Sequence, residues 1–291
     1  MGRPLGDMRH VGQGDRALNY FPCRYGGSRL LFRGPRRDLS GAYLAFLGGT
    51  ETYGKFLPRP YPAVVEQALG LPCVNLGGVN AGVDLYLRDP ALQALASGAV
   101  ATVVQLTGAQ NLSNRFYSVH PRRNDRFLRS AGPLHELYPE VDFTRFHFTR
   151  HMLAALRDTS DDRFALVQEE LRTAWLARMR QLIAQIAGPV VLLWFADHSP
   201  PDPGAPEEAA DPLFVTRPMV EAVRDEAAHC LEVVITDRAR AAGTQGMVFA
   251  VDEELAASEL PGALAHEEAA DALAPLLRDI AVAAGALDDG P

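Results

Sequence analysis

Five short runs of mainly apolar residues constrain the fold more than any other feature of the chain. They occupy residues 42–47, 72–76, 100–106, 189–195 and 231–236. Stretches with helical spacing separate them. Runs without polar alternation are typical of strands buried on both faces, and their alternation with helices indicates a parallel sheet. The sequence therefore predicts an α/β protein, a three-layer flavodoxin-like sandwich with a five-stranded parallel sheet.

Local signals place the helices between these strands. One predicted helix spans 61–69 and stops at Gly70, and a second begins after Asp89 as N-cap with Pro90 in the first turn. Longer amphipathic stretches predict further helices at 164–186, 218–230 and 267–284.

The remaining stretches define the expected organisation. Residues 1–40 are polar and rich in Arg and Gly, and we expect them to form an N-terminal extension packed on the core. Residues 41–291 then form one domain. Within it, residues 111–160 are a long insertion after the third strand, expected to be helical or irregular and to overhang the sheet edge.

Charge and composition exclude several function classes. The chain has 28 basic and 36 acidic residues, a net charge of −8, which argues against a nucleic-acid binder and gives no attraction to anionic lipid. No signal peptide or membrane-spanning run is visible, so we expect a cytoplasmic protein. Three scattered cysteines indicate neither a disulfide framework nor a cysteine zinc site, and no nucleotide-binding glycine motif predicts a cofactor. The oligomeric state stays open.

Glycine-rich blocks follow the first three strands, and a histidine lies in the segment that leads into the last helix. The first block is GGTETYG at 48–54, the second is GGVNAG at 77–82, and the third is GAQN at 108–111. His266 lies at the start of the last helical stretch. Because the carboxyl ends of parallel strands share one sheet edge, these blocks are expected to meet there.

The order of these blocks resembles the SGNH/GDSL hydrolase superfamily. In that family a serine block follows strand one, an oxyanion glycine follows strand two, an Asn-bearing block follows strand three, and an Asp-x-x-His motif precedes the last helix. The chain departs from this pattern, since Thr50 replaces serine and Ala263 stands where the aspartate is expected. The strings GGTETYGKF, GAQNLSNRFY and HPRRNDRFL also resemble an uncharacterised bacterial family of unknown function.

The resemblance implies acyl-transfer chemistry. Thr50 would be the nucleophile and His266 its base, and the oxyanion donors would be the Gly77 N–H with the side chain of Asn111 or Gln110. The alternative is that Thr50 only caps a helix in a glycine-rich turn.

His198 is a second candidate base, because it follows the fourth strand at the same sheet edge. Its neighbour Asp197 is expected not to bond it easily, since adjacent side chains diverge. The alternative is a loop histidine beside a capping aspartate.

The insertion carries the densest positive charge of the sequence. Arginine forks bind phosphate, sulfate or carboxylate, so an anionic substrate, a carrier-linked thioester or an acidic glycan, is expected there. The alternative is that the arginines pair with nearby acids. The predicted substrate-binding residues are Arg115, Arg122, Arg123, Asn80 and Asn114.

Three histidines in the insertion are candidate metal ligands. His147 and His151 are spaced one helical turn apart, with His135 upstream. This spacing suits zinc, but no third ligand is evident, so packing or surface roles are favoured and no metal is predicted.

Two hypotheses follow. The chain is an SGNH-like hydrolase or acyltransferase that acts on an anionic ester, thioester or O-acyl carbohydrate. Alternatively, it is a catalytically degenerate scaffold that binds an anionic ligand through the arginine-rich insertion.

Overall fold

A five-stranded parallel sheet forms the centre of the protein, as the apolar runs predicted. The computed structural model describes residues 18–202, 204–205 and 210–288. The strand order is β2-β1-β3-β6-β7, and a separate antiparallel hairpin pairs β4 with β5. The strands are β1 Leu44–Leu47, β2 Cys73–Asn75, β3 Ala101–Gln105, β4 Tyr117–His120, β5 Arg123–Ser130, β6 Val190–Ala196 and β7 His229–Val234.

Helices cover both faces of the sheet. They are α1 Thr50–Tyr53, α2 Tyr61–Leu69, α3 Asp84–Leu87, α4 Pro90–Gly98, α5 Gly132–Leu137, α6 Thr149–Thr159, α7 Asp161–Gln185, α8 Arg217–Arg224, α9 Asp237–Ala242, α10 Glu254–Ser258 and α11 Ala263–Ala283. Short 3₁₀ turns lie at Phe143–Arg145 and Val251–Glu253. None of the helices among the described residues is long and apolar enough to cross a bilayer.

Alternate residues of the strands feed two separate hydrophobic cores. In β1, Leu44 and Phe46 pack on the face covered by α2 and α11, whereas Ala45 and Leu47 pack on the opposite face, against which α4 and α7 lie. All four residues of β1 are buried. Burial on both faces is typical of a parallel sheet covered by helices, and β1 lies inside the sheet, paired with β2 and β3.

The predicted helix signals are confirmed where local chemistry sets the boundary. Gly70 ends α2 with φ +68°, and its N–H donates to the carbonyl of Glu66. Asp89 caps α4 by accepting a hydrogen bond from the N–H of Ala91 at 3.0 Å. Pro90 fits directly behind this cap because the first turn of a helix needs no amide donor there.

Two elements differ from expectation. The insertion is not simply helical or irregular, since β4 and β5 form a hairpin within it before α5 and α6. The predicted helix 218–230 ends at Arg224, and β7 begins at His229. The helix ends early because residues from His229 onward pair with β6 in a parallel ladder, in which His229 lies opposite Val191.

The described part of the N-terminal segment packs on the core. Cys23 and Phe32 form a two-way backbone bridge, and the side chains of Tyr25 and Phe32 are buried. The expected domain boundary at residue 40 stays a prediction, and residues 1–17 of the predicted extension lie outside the described residues.

Candidate functional site

A polar pocket lies at the carboxyl ends of β1, β3 and β6. In the sheet, β2 lies on one side of β1 and β3 lies on the other, so the strand order reverses between β1 and β3. Such a reversal is the topological switch point, where ligands bind in open α/β sheets. The cavity has a volume of about 340 Å³. The polar side chains that line it are Thr50, Glu51, Asn80, Gln105, Thr107, Gln110, Asn111, Asp125, Thr149, Arg150, His151 and Asp211.

Thr50 lies at the wall of this pocket, as the first residue of α1. Its hydroxyl donates to Oδ1 of Asn80 at 3.2 Å and accepts from the N–H of Asn80 at 2.9 Å. Gly49 is the N-cap residue of α1, and no side chain caps that helix. The capping role expected as the alternative for Thr50 is therefore wrong.

Asn80 continues this chain of hydrogen bonds. Its Nδ2 donates to Oδ2 of Asp125 at 3.3 Å, and its backbone adopts φ +54°. Hydrogen bonds thus connect Thr50, Asn80 and Asp125 in the order in which a catalytic triad connects its nucleophile, base and acid. The central group is an amide, however, and an amide takes up no proton in the physiological range.

The amide side chains after β3 are also engaged. Nδ2 of Asn111 donates to the carbonyl of Asn80 at 3.1 Å, and its Oδ1 accepts from the Thr149 hydroxyl at 2.7 Å. Nε2 of Gln110 donates to Oδ1 of Asp211 at 3.1 Å. Both residues line the pocket, and each side-chain amide donates one hydrogen bond to a protein oxygen.

Gly77 lies behind the turn of α1. Its N–H donates to Oδ1 of Asn75 at 3.0 Å, so this amide is not available to an oxyanion. A Cβ at Gly77 would lie 2.4 Å from the backbone nitrogen of Tyr53. The glycine is explained by this close approach of two backbone segments.

His266 is buried in the core formed by α2 and α11, with 1% of its surface exposed. Its Nδ1 accepts from the N–H of Tyr61 at 3.0 Å, and its ring packs against Phe195 and Tyr61. Burial, with a smaller contribution from the Arg33 charge, lowers the pKa of His266 to about 3. Among the described residues no hydrogen bond joins His266 to Thr50, and His266 does not line the pocket.

His198 lies outside the pocket lining as well. Its Nδ1 is 2.9 Å from Oδ1 of Asp197, so the expectation that these neighbours could not easily bond is wrong. The loop after β6 turns tightly enough to bring them together, and its carbonyl at His198 accepts from Trp194 Nε1.

The predicted anion-binding residues are spread over other parts of the surface. Arg115 forms an ion pair with Glu170 at 2.9 Å and stacks on Phe116. Arg122 borders a separate shallow depression beside Gly77, and Arg123 is exposed in β5. Asn114 orders its own turn by accepting from the N–H groups of Phe116 and Tyr117. None of these four predicted residues lines the pocket at the switch point.

Glu51 is a pocket residue that sequence reasoning missed. Its Oε2 accepts from Nε2 of Gln105 at 2.8 Å. Burial, reinforced by the charge of Asp211 and opposed by the Gln105 hydrogen bond and by Arg150, raises the pKa of this carboxyl above its usual value. The available signal was an acidic residue inside the GGTETYG turn, next to Thr50.

Asp211 and Arg150 form the opposite rim of the pocket. They make an ion pair between the loop after β6 and the first turn of α6. Both were missed, because residues 150 and 211 are distant in sequence and only the complete fold brings them together. His151 also lines the pocket, but no group of three metal-ligating side chains occurs among the residues that the structure describes.

The chain matches the family described as a domain of unknown function, DUF6473, over residues 8–281. It belongs to that family. A comparison of this DUF6473 chain with curated proteins finds no significant match.

Solved structures give distant likenesses to the DUF6473 chain. A lipase, Lip_vut3, from a goat rumen metagenome is 12% identical with a TM-score of 0.40, over 80% of this chain and 95% of the lipase. A catalytic mutant of Axe2, an acetylxylan esterase from Geobacillus stearothermophilus, is 16% identical with a TM-score of 0.38, over 83% and 94%. The YXIM protein of Bacillus subtilis is 10% identical with a TM-score of 0.39, over 84% of this chain and 57% of that protein. These TM-scores are too low to transfer an activity.

Proposed function

We propose that the pocket at the switch point binds a small ligand rich in hydrogen-bond donors, of about the size of a sugar ring, without a serine-hydrolase type of triad. The observation that carries this proposal is the state of the hydroxyl of Thr50. Both of its hydrogen bonds go to Asn80, which is neutral, and no basic side chain forms a hydrogen bond with it among the described residues. A hydroxyl becomes a nucleophile only when a base or a lowered pKa activates it.

The other predicted parts of an acyl-transfer site are used inside the fold. His266 holds the amide of Tyr61, and the Gly77 N–H holds Asn75. An oxyanion hole needs donors that are free and aimed at the reacting oxygen. These contacts favour a binding scaffold over a hydrolase.

The chemistry of the pocket wall indicates which ligands fit. Glu51, Asp125 and Asp211 bring three carboxyl groups to the cavity wall, and the guanidinium of Arg150 is paired with Asp211. These carboxyl groups complement hydroxyl or amine donors of a ligand and disfavour an anion. A volume of about 340 Å³ is near the lower end for small-molecule sites.

Calorimetry with three matched sugars tests this proposal. Glucose is neutral, glucosamine is cationic and glucuronate is anionic, while all three have the same ring. We expect binding of the neutral and the cationic sugar and none of glucuronate. Binding of glucuronate alone would restore the anionic ligand predicted from the arginine-rich insertion, and Arg122→Ala/Arg123→Ala would then remove it.

Hydrolysis or acyl transfer remains the second candidate function. It is favoured by the position of Thr50, whose side chain lines the pocket at the end of β1. The substrate would be an ester, a thioester or an O-acyl carbohydrate. Ester turnover that is lost in Thr50→Ala and kept in Thr50→Ser would establish this function and displace the first.

A further inference from the structure

We propose that the ligand carries an ammonium group and that Glu51 is its counter-ion. This inference rests on the proposed function and narrows it to an amine-bearing polyol. It starts from the charges of the pocket wall. Glu51, Asp125 and Asp211 carry carboxyl groups, whereas Arg150 is the only arginine or lysine among the lining residues described.

The guanidinium of Arg150 is already paired with a carboxylate of the protein. It forms its ion pair with Asp211, whose Oδ1 also accepts from Gln110. Neither Glu51 nor Asp125 has an ion-pair partner among the described residues, since Glu51 accepts from Gln105 and Asp125 from Asn80. Two carboxyl groups of one cavity therefore have no direct ion pair among the described residues, although the charge of Arg150 acts on Glu51 from a distance.

A fixed set of hydrogen bonds holds the Glu51 carboxyl in place. Oε1 of Gln105 accepts from the N–H of Gly49, the N–H of Thr52 and the Thr52 hydroxyl at 2.6 Å. Because the Thr52 hydroxyl donates its proton to Gln105, it can only accept from the Tyr61 hydroxyl, which lies 2.7 Å away. Since the side-chain oxygen of Gln105 accepts these three hydrogen bonds, the amide is oriented with its N–H₂ group toward Glu51.

The Glu51 carboxyl thus lies in the wall of the cavity, where it accepts from the side-chain amide of Gln105. Of the other groups in the pocket wall, Gln105, Asp211 and Arg150 act on the charge of Glu51, and Asp125 and His151 line the same cavity. A carboxyl group in a desolvated site beside another acid favours its protonated form, and an arriving cation reverses that preference. Any proton that Glu51 holds is therefore expected to leave when the ammonium group binds.

The test compares glucosamine with glucose by calorimetry, at a pH that keeps the amine ionised. We expect wild type to bind glucosamine about tenfold more tightly than glucose, a difference of the size that one retained charge contact gives. In Glu51→Gln the two affinities should converge, because the amide keeps the Gln105 hydrogen bond and loses the charge. Glu169→Gln, an exposed position in the middle of α7, is the matched control and should keep the wild-type ratio.

Titrations in two buffers of different ionisation heat provide an independent measurement. Proton release with glucosamine that disappears in Glu51→Gln supports the inference. Equal binding of the two sugars, or a ratio unchanged in a folded Glu51→Gln, overturns it and leaves the proposed function standing. If neither sugar binds, the proposed function fails and the inference fails with it.

Discussion

The hydroxyl of Thr50 and the residue Asn80 are joined by two hydrogen bonds, one in each direction, at 3.2 and 2.9 Å. The side-chain amide that accepts the Thr50 proton has no basicity to remove it. This relationship separates the chain from the acyl-transfer chemistry that its sequence blocks resemble.

Replacing Thr50 with alanine is expected to leave any slow ester turnover of the wild type unchanged. The substitution removes both hydrogen bonds to Asn80 and should lower the free energy of unfolding by about 1–2 kcal/mol. Turnover of a chromogenic acetyl ester and urea denaturation measure the two effects. Thr50→Ser, which keeps the hydroxyl, is the control; a large activity loss in alanine alone would show that the hydroxyl is a nucleophile.

His266 is expected to make the stability depend on pH. In the unfolded chain the imidazole has its ordinary pKa of 6.5. In the folded protein, burial lowers this pKa to about 3. The stabilisation is therefore complete above pH 6.5 and is lost as the pH falls, at about 1.4 kcal/mol per pH unit for this one group.

Urea unfolding at a series of pH values measures that slope. His266→Gln keeps an acceptor for the Tyr61 N–H but cannot titrate, so its slope should be smaller by one proton. The exposed His229 offers the control His229→Gln, which should retain the wild-type slope. Equal slopes in all three proteins would contradict the prediction.

Arg33 is expected to be a strong contributor to stability. Its buried guanidinium donates to the carbonyls of Tyr53, Gly54, Leu57 and Pro58, with no carboxylate partner among the described residues. Lysine cannot reproduce this planar fork. Arg33→Lys should therefore lower the free energy of unfolding by on the order of 3 kcal/mol, and Arg29→Lys at an exposed position should change it little. Thermal and urea unfolding of both variants would decide; similar values for the two would refute the prediction.

Gly77→Ala is expected to destabilise the fold or to displace α1. The added Cβ would meet the backbone nitrogen of Tyr53 at 2.4 Å and the carbonyl carbon of Thr52 at 2.8 Å, where no flexible side chain can yield. We expect a loss of about 2 kcal/mol or more. Gly41→Ala has nothing within 4 Å of its new Cβ and is the control. A Gly77→Ala protein as stable as that control would show that the turn can shift without cost.

The sequence predicts the sheet better than the site, for a physical reason. Strands such as β1 and β6 are apolar on both faces, and the Asp89-Pro90 and Gly70 signals act within one turn of chain, so local chemistry suffices. The direction of the His266 side chain depends instead on what α11 packs against. The β4–β5 hairpin was missed because β4 is short and β5 is rich in arginine, with Phe127 buried but Leu128 exposed.

The ion pair of Arg150 with Asp211 has a further consequence, for the order in which the protein assembles. Thr50 reaches Asn80 across 30 residues, but Arg150 and Asp211 are 61 residues apart, and Gln110 and Asp211 are 101 apart. Distant contacts form only after the loops between them have closed. The side of the cavity that Gln110 and Asp211 form is thus expected to be one of the last features to form during refolding.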